Sequence, residues 1–266
     1  MSRWLHKSMH IMVSPDQLVL GHLSWPGNRA PMATETLDVD ESGNGPQWRN
    51  VLDRLEEHLA STGFRGNIHL TLSHHFVRFA DLPWQPKILS RPLRTIQAEH
   101  RFKQLFGAAH SGWRVSASES AYGSPALAAA VENELIAAIE KIATKYPVDI
   151  RSIEPWGVAS INTFRKQLLA DRNAALALAE PGKQIMLFFQ GTELVGVATR
   201  RHPDASLINL GNTVTQEAVA IGLTDFMENI FVARYGDALP AVPALLSTSH
   251  QRATPAMREH AVQTTS

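Results

Sequence analysis

A chain of 266 residues with 44% hydrophobic and 19% charged residues has enough apolar content to close one large core or two small ones. Its 25 Lys and Arg balance 25 Asp and Glu, so there is no overall basic field to hold nucleic acid or an anionic lipid surface, and neither is expected as a partner. It has no cysteine, which excludes disulfides, thiolate metal sites and cysteine nucleophiles. No apolar run approaches the roughly 18 to 20 residues that span a bilayer. The start, MSRWLHKSMHIMVS, lacks the long apolar segment and small-residue cleavage site of an export signal. The expectation is a soluble cytoplasmic protein with no direct membrane insertion.

In chain order, HIMVSPDQLVLGHLSW reads as two short strands around a Ser14-Pro15-Asp16 turn, and ATETLDVD as a third, making a meander. Trp48, Val51, Leu52, Leu55 and Leu59 recur at helical spacing and predict an amphipathic helix from about Pro46 to Ala60. GNIHLTLS is a strand. Ser73-His74-His75 then reads as a tight connection into a second strand, FVRFADLPW, which Pro83 stops, so the pair is expected to form a hairpin. Residues 90 to 106 carry an imperfect apolar helical face (Leu93, Ile96, Phe102, Leu105, Phe106), with Gly107 as C-cap. WRVSASES and ALAAAV are strand candidates. A helical stripe of Val131, Leu135, Ile139 and Ile142 follows, then the strand DIRSIEPWG and a helix with Ile161, Phe164 and Leu168 on one face.

A second β-rich unit opens near Lys183, where QIMLFFQGTELVGVATRR forms two runs around Gln190-Gly191-Thr192-Glu193. Val219, Leu223, Phe226 and Ile230 predict a helix of about 20 residues. After Gly236 the chain is rich in Pro, Ser and Thr without period, as an extended or disordered tail is. The order is βββαβ(β)αβ(β)αβα, then ββ(β)α: a mixed α/β protein with an antiparallel meander in each half.

That order, with its two meander-led units, resembles the actin-like (ribonuclease H-like) ATPase architecture: two subdomains with mixed sheets. VRFADLPW leading into a helix with IQAEHRFKQLFG is similar to PilM of type IV pili and to the cytoplasmic domain of the type II secretion L protein, GspL. So is ALAAAVENELIAAIEKIATKYPVDIRSIEPWGVASIN, a small-residue strand, helix, acidic-x-Pro strand end and helix. The resemblance covers about residues 10 to 235 and implies a first subdomain over 1–150, a second over 151–238 and a tail over 239–266.

His74 and His75 would point to opposite faces if they lay on a strand, which is wrong for chelating one ion, so a solvated or capping role is expected. His6 and His10 have helical spacing but sit in a predicted strand, and no metal site follows from them. Arg78, between Phe76 and Phe79, could bind a carboxylate or stack on a ring, or simply reach solvent. Trp84 and Trp156, each beside a proline at a strand end, read as core or rim anchors. Glu132 and Glu134 diverge at a helix start and favour its dipole more than paired-carboxylate chemistry.

Actin-like ATPases cradle phosphates with two hairpin loops of the Asp-x-Gly type, whose glycines permit close backbone approach and whose aspartates position Mg²⁺ or its waters. Here the first hairpin, MVSPDQLVLG, has Ser14 and Asp16 but no glycine in the turn, and Pro15 removes an N–H donor. The second keeps Gly191 and Thr192 but has Phe189 where the aspartate would sit. The adenosine-binding Gly-Gly pair is reduced to Gly211 in NLGNTV. No G-x-S-x-G, G-x-x-x-x-G-K-[ST], G-x-G-x-x-G or H-E-x-x-H motif is present. The expectation is therefore no enzyme and no cofactor or metal.

The resemblance implies a bacterial cytoplasmic scaffold, peripheral at the inner membrane through its partners, in a type IV pilus or type II secretion platform. PilM-like proteins bind the cytoplasmic N-terminal peptide of a membrane-anchored assembly protein, and GspL-like proteins engage the secretion ATPase as well. Arg78, Trp84 and Trp156 are the candidate partner-binding residues. The competing expectation is a divergent nucleotide-binding protein of the actin and sugar-kinase type.

Overall fold

The structure, a computed structural model, describes residues 7–23, 34–40, 45–88, 90–120, 122–170, 173–191, 193–202, 210–223 and 229–235. The expected tail over 239–266 lies outside the described residues, as do His6, Thr192 and Phe226. The described chain forms two compact units. One holds the residues up to Val77 together with Val131–Ala159, the other Arg78–Ala130 together with those from Ser160 onward.

The first unit is built on a five-stranded sheet of order β3-β2-β1-β4-β8. β1 (Ser8–Val13) and β2 (Gln17–Leu23) are antiparallel, and β3 (Thr34–Asp38) pairs antiparallel with β2, completing the expected meander. β4 (Gly66–Leu72) runs parallel to β1, and β8 (Val148–Pro155) parallel to β4. β1 is buried on both faces (Met9, Ile11, Met12 and Val13 are each fully inaccessible), as a central strand between parallel and antiparallel neighbours must be. α1 (Trp48–Thr62) buries Trp48, Val51, Leu52, Leu55 and Leu59, the stripe read from the sequence, and ends where Gly63 turns to φ +60° and its N–H donates to the Leu59 carbonyl. α3 (Asn133–Lys145) buries Leu135, Ile136, Ile139 and Ile142. Of the two carboxylates at its start, Glu132 accepts from the Trp48 indole at 2.8 Å, and Glu134 lies 3.8 Å from Arg49.

The expected β4–β5 hairpin is not formed. β5 (Val77–Leu82) belongs to a separate three-stranded sheet in the second unit, of order β5-β7-β6, with β6 (Trp113–Ala117) and β7 (Ala126–Glu132). The reason is edge occupancy: β1 and β8 already fill both edges of β4. The Ser73 amide donates to the Val13 carbonyl, and the chain then turns off the sheet at His74–Phe76. α2 (Arg91–Phe106) covers this small sheet, Ala98 and Phe102 packing on Ala80, Leu82, Ala126, Ala128 and Ala130.

A four-stranded sheet of order β11-β10-β9-β12 completes the second unit. β9 (Asn173–Glu180), β10 (Gly182–Gln190) and β11 (Glu193–His202) form the second antiparallel meander, and β12 (Asn229–Arg234) runs parallel to β9. One face, with Ala175, Phe188 and Ile230 in a row, packs against Leu210, Val214 and Ala218 of α5 (Leu210–Ala220). On the other, Phe231 meets Phe164 of α4 (Trp156–Ala170) at 5.8 Å. The helix expected through Val219, Leu223, Phe226 and Ile230 is corrected on two counts. α5 ends at Ala220, with Gly222 at φ +83° in the turn that follows, and Ile230 lies in β12. Val219 is 56% exposed, so the buried stripe is the one through Leu210, Val214 and Ala218.

Candidate functional site

The first counterpart of a phosphate loop is closed on itself. The Ser14 amide donates to the Gln17 carbonyl at 3.1 Å, and its hydroxyl lies 2.6 Å from Asp16 Oδ1 and 3.0 Å from the Gln17 carbonyl. The Asp16 carbonyl accepts from the Val39 amide at 2.8 Å. Pro15 has no N–H, and the one amide at the start of the turn is already used.

The second counterpart is a tight β10–β11 hairpin in which Gln190 pairs with Glu193 and Gly191 sits at φ +58°, a conformation that favours glycine. Phe189, where the resemblance would lead one to expect an aspartate, is 6% exposed. Glu193 accepts from the Ser124 hydroxyl at 2.7 Å, which ties the hairpin to the loop before β7. Gly211, the third counterpart, lies in the first turn of α5, where it is buried and its carbonyl accepts from Thr215 Oγ1 at 2.8 Å.

Of the residues expected to bind a partner, Arg78 and Trp84 both lie in the second unit. Arg78 is half-buried near the start of β5. Its positive charge acts on Lys183, whose pKa is pushed down to about 8 by burial first, then by Arg78 and Arg201, with Glu180 opposing. Lys183 and Glu180 are cross-strand partners on β10 and β9, and Glu180 is only 1% exposed. Lys183 thus has the buried Glu180 as its cross-strand partner on β9 and Arg201 as its partner on β11, with Arg78 acting on it as well. Trp84, half-buried after β5, meets Tyr122 edge-on at 5.1 Å, and Tyr122 is 79% exposed. Pro83 beside it is tied to α2 through a 2.8 Å hydrogen bond from Gln97.

Trp156 lies elsewhere, in the first unit. It is 3% exposed and packs on His74 with ring centroids 4.9 Å apart. It is a core residue as the structure places it. His74, expected to be solvated or a cap, is fully buried, because the turn that takes the chain off β4 points inward onto that indole; His75 is half-buried, and its amide donates to the Ser73 hydroxyl at 3.0 Å.

Two features escaped the sequence reading. The first is the true inner face of α2, which buries Ala98 and Phe102, while Leu93, Ile96 and Leu105 of the expected apolar face are exposed, Ile96 at 60%. The irregular apolar spacing of that helix was its only trace, since one helix face cannot bury so many residues against a three-stranded sheet. The second is His10 on β1, stacked face to face on its register partner His69 of β4 at 4.6 Å.

These elements define the actin-like ATPase fold. No protein-family model matches the chain, and no curated protein matches it in sequence. Among solved structures the chain is similar to a chain of the PilM–PilN type IV pilus biogenesis complex, with a TM-score of 0.62 at 12% identity over 90% of this chain and 83% of that one. It is also similar to a protein of actin-like ATPase fold and unknown function from Bacteroides thetaiotaomicron, with a TM-score of 0.58 at 10% identity over 89% and 85% of the two chains. For the cytoplasmic domain of EpsL, an inner-membrane component of the type II secretion system of Vibrio cholerae, the TM-score is 0.52 at 11% identity over 86% and 82%. At these identities the likeness is one of fold.

Proposed function

We propose that the chain is a non-catalytic adaptor of a type IV pilus or type II secretion-like assembly platform, cytoplasmic and held at the inner membrane through a membrane-anchored partner. The observation that carries the reading is the combination of a fold shared along nine-tenths of the chain with a PilM–PilN complex chain and a first hairpin turn in which Pro15 has no N–H and the Ser14 amide is engaged by the Gln17 carbonyl. Among the described residues no helix is long and apolar enough to cross a membrane, so attachment in this reading runs through protein contacts.

The partner surface is assigned to the second unit. Arg78, with Lys183 and Arg201, would receive a carboxylate, while Trp84 and Tyr122 would supply an aromatic anchor, the residue types that dominate protein interfaces. A secretion ATPase is a further partner on this reading.

The competing reading, a nucleotide-binding protein, makes a different prediction in a thermal shift with Mg·ATP. A ligand at 100 times its dissociation constant would stabilise the fold by about 2.7 kcal/mol. The adaptor reading expects no shift up to millimolar Mg·ATP. A saturable rise in Tm that Asp16→Ala abolishes would overturn it.

A further inference from the structure

His22 at the end of β2, Glu35 at the start of β3 and His58 on α1 converge at one point in the first unit. One ligand atom from each lies within 4.8 Å of the others. The topology explains the meeting. Leu20 pairs with Glu35 across β2 and β3, so the two share a sheet face, and His22, two residues beyond Leu20, shares it too. α1 packs on β2, with Leu55 and Leu59 buried, and His58 lies between them in sequence, itself 6% exposed.

We propose that these three side chains bind a divalent cation of the zinc class, with water completing the coordination.

The second observation is the state of His58. Its Nε2 is buried without a hydrogen-bond partner, an arrangement that costs stability unless something fills the coordination position. Glu35 is exposed and His22 half-buried, which leaves an approach from solvent. Tetrahedral zinc needs donor atoms about 3.3 Å apart, and rotation of the two more accessible side chains supplies the closure. Two imidazoles and one carboxylate select zinc, cobalt, nickel or copper over calcium or magnesium, which prefer oxygen cages.

The bound ion would clamp β3 to α1. β3 is a five-residue edge strand with four of its residues exposed, and its ladder partner is β2. The metal thus supplies a second attachment for the edge of the sheet, independently of the adaptor reading.

The test is a titration of the chelator-treated full chain with Zn²⁺ by calorimetry, repeated with Co²⁺ to read its visible ligand-field absorption. The expected result is one saturable equivalent at micromolar or lower concentration, a rise in Tm on saturation, and absorption typical of four-coordinate cobalt. His22→Ala and Glu35→Gln, both at accessible positions, should each weaken binding by about tenfold or more. His58→Ala should do the same, while His100→Ala, on the exposed face of α2, should not. If His58→Ala fails to fold, the His22 and Glu35 variants decide the matter. No saturable binding below millimolar zinc, or binding unchanged in folded His22→Ala and Glu35→Gln, overturns the proposal.

Discussion

Phe188→Ala should lower the unfolding free energy of the second unit by about 3–5 kcal/mol, the range for truncating a buried phenylalanine. Phe188 is fully inaccessible at the centre of the four-stranded sheet. Its row neighbours are Ala175 on β9 and Gly196 on β11, and the small side chains are what make room for the ring. Gly196 has no side chain to move into the vacated space. With close-packed neighbours on both sides the cavity cannot collapse, so the loss should fall at the high end of the range. Urea unfolding followed by tryptophan fluorescence and by circular dichroism measures it. If the two units unfold separately, the transition of the second should move. A loss below about 1 kcal/mol would contradict this packing.

The second large effect is acid sensitivity centred on His10. The ring is held to a pKa of about 4, against 6.5 in an unfolded chain, by burial first and then by the adjacent His69. His69 is itself lowered by burial and by Arg151, and its Nδ1 lies 2.9 Å from the Ser152 hydroxyl. Both folded-state pKa values lie below the unfolded one, so the unfolded chain takes up protons first as pH falls. The contribution is complete above pH 6.5 and is lost as pH drops from 6.5 towards 4. For His10, with allowance for the solvent that still reaches the ring, this amounts to roughly 2–3 kcal/mol. Unfolding free energies at pH 7 and pH 4.5, compared between the parent chain and His10→Leu, isolate the term, because the carboxylates titrate alike in both. The variant should show the shallower decline; equal slopes would contradict the assignment.

The sequence reading succeeded where the local pattern and the tertiary role coincide. The β1–β2–β3 meander is punctuated by a Pro-containing turn. α1 buries the very stripe that its periodicity marks, and the β10–β11 hairpin is set by Gly191. It failed where sheet membership decides. Nothing local to Ser73–His75 says that both edges of β4 are taken by strands from distant parts of the chain. β9 carries little strand signal of its own, because NAALALAE is dominated by alanine, a poor strand former in isolation. Here alanine is selected by burial between β10 and β12. Ile230 fell on a helical repeat with Val219 by coincidence of spacing, and the glycine at 222 was the stop signal that should have outweighed it.

The sites divide along the same line. The residue types at the two hairpin turns are legible in the sequence: Pro15 has no amide to give and Phe189 has no carboxylate. The burial of His74 was not, since it depends on the direction the chain takes off β4, whereas Trp156, read as a core or rim anchor, is buried. The convergence of His22, Glu35 and His58 was equally hidden. These residues are separated by 13 and 23 positions; only strand register and the seating of α1 bring them together.

The central claim, an adaptor that works through a protein surface of the second unit, is tested most directly by affinity capture of the full chain from its native host with quantitative mass spectrometry. The measurement compares the parent chain, the double variant Arg78→Ala with Trp84→Ala, and the loop variants Asp16→Ala and Glu193→Ala, each shown by circular dichroism to be folded. The account predicts recovery of a membrane-anchored assembly protein with the parent chain and with both loop variants, and a loss of about tenfold or more in the double variant. Retention by the double variant together with loss in Asp16→Ala and Glu193→Ala would contradict it and return the functional site to the former nucleotide loops.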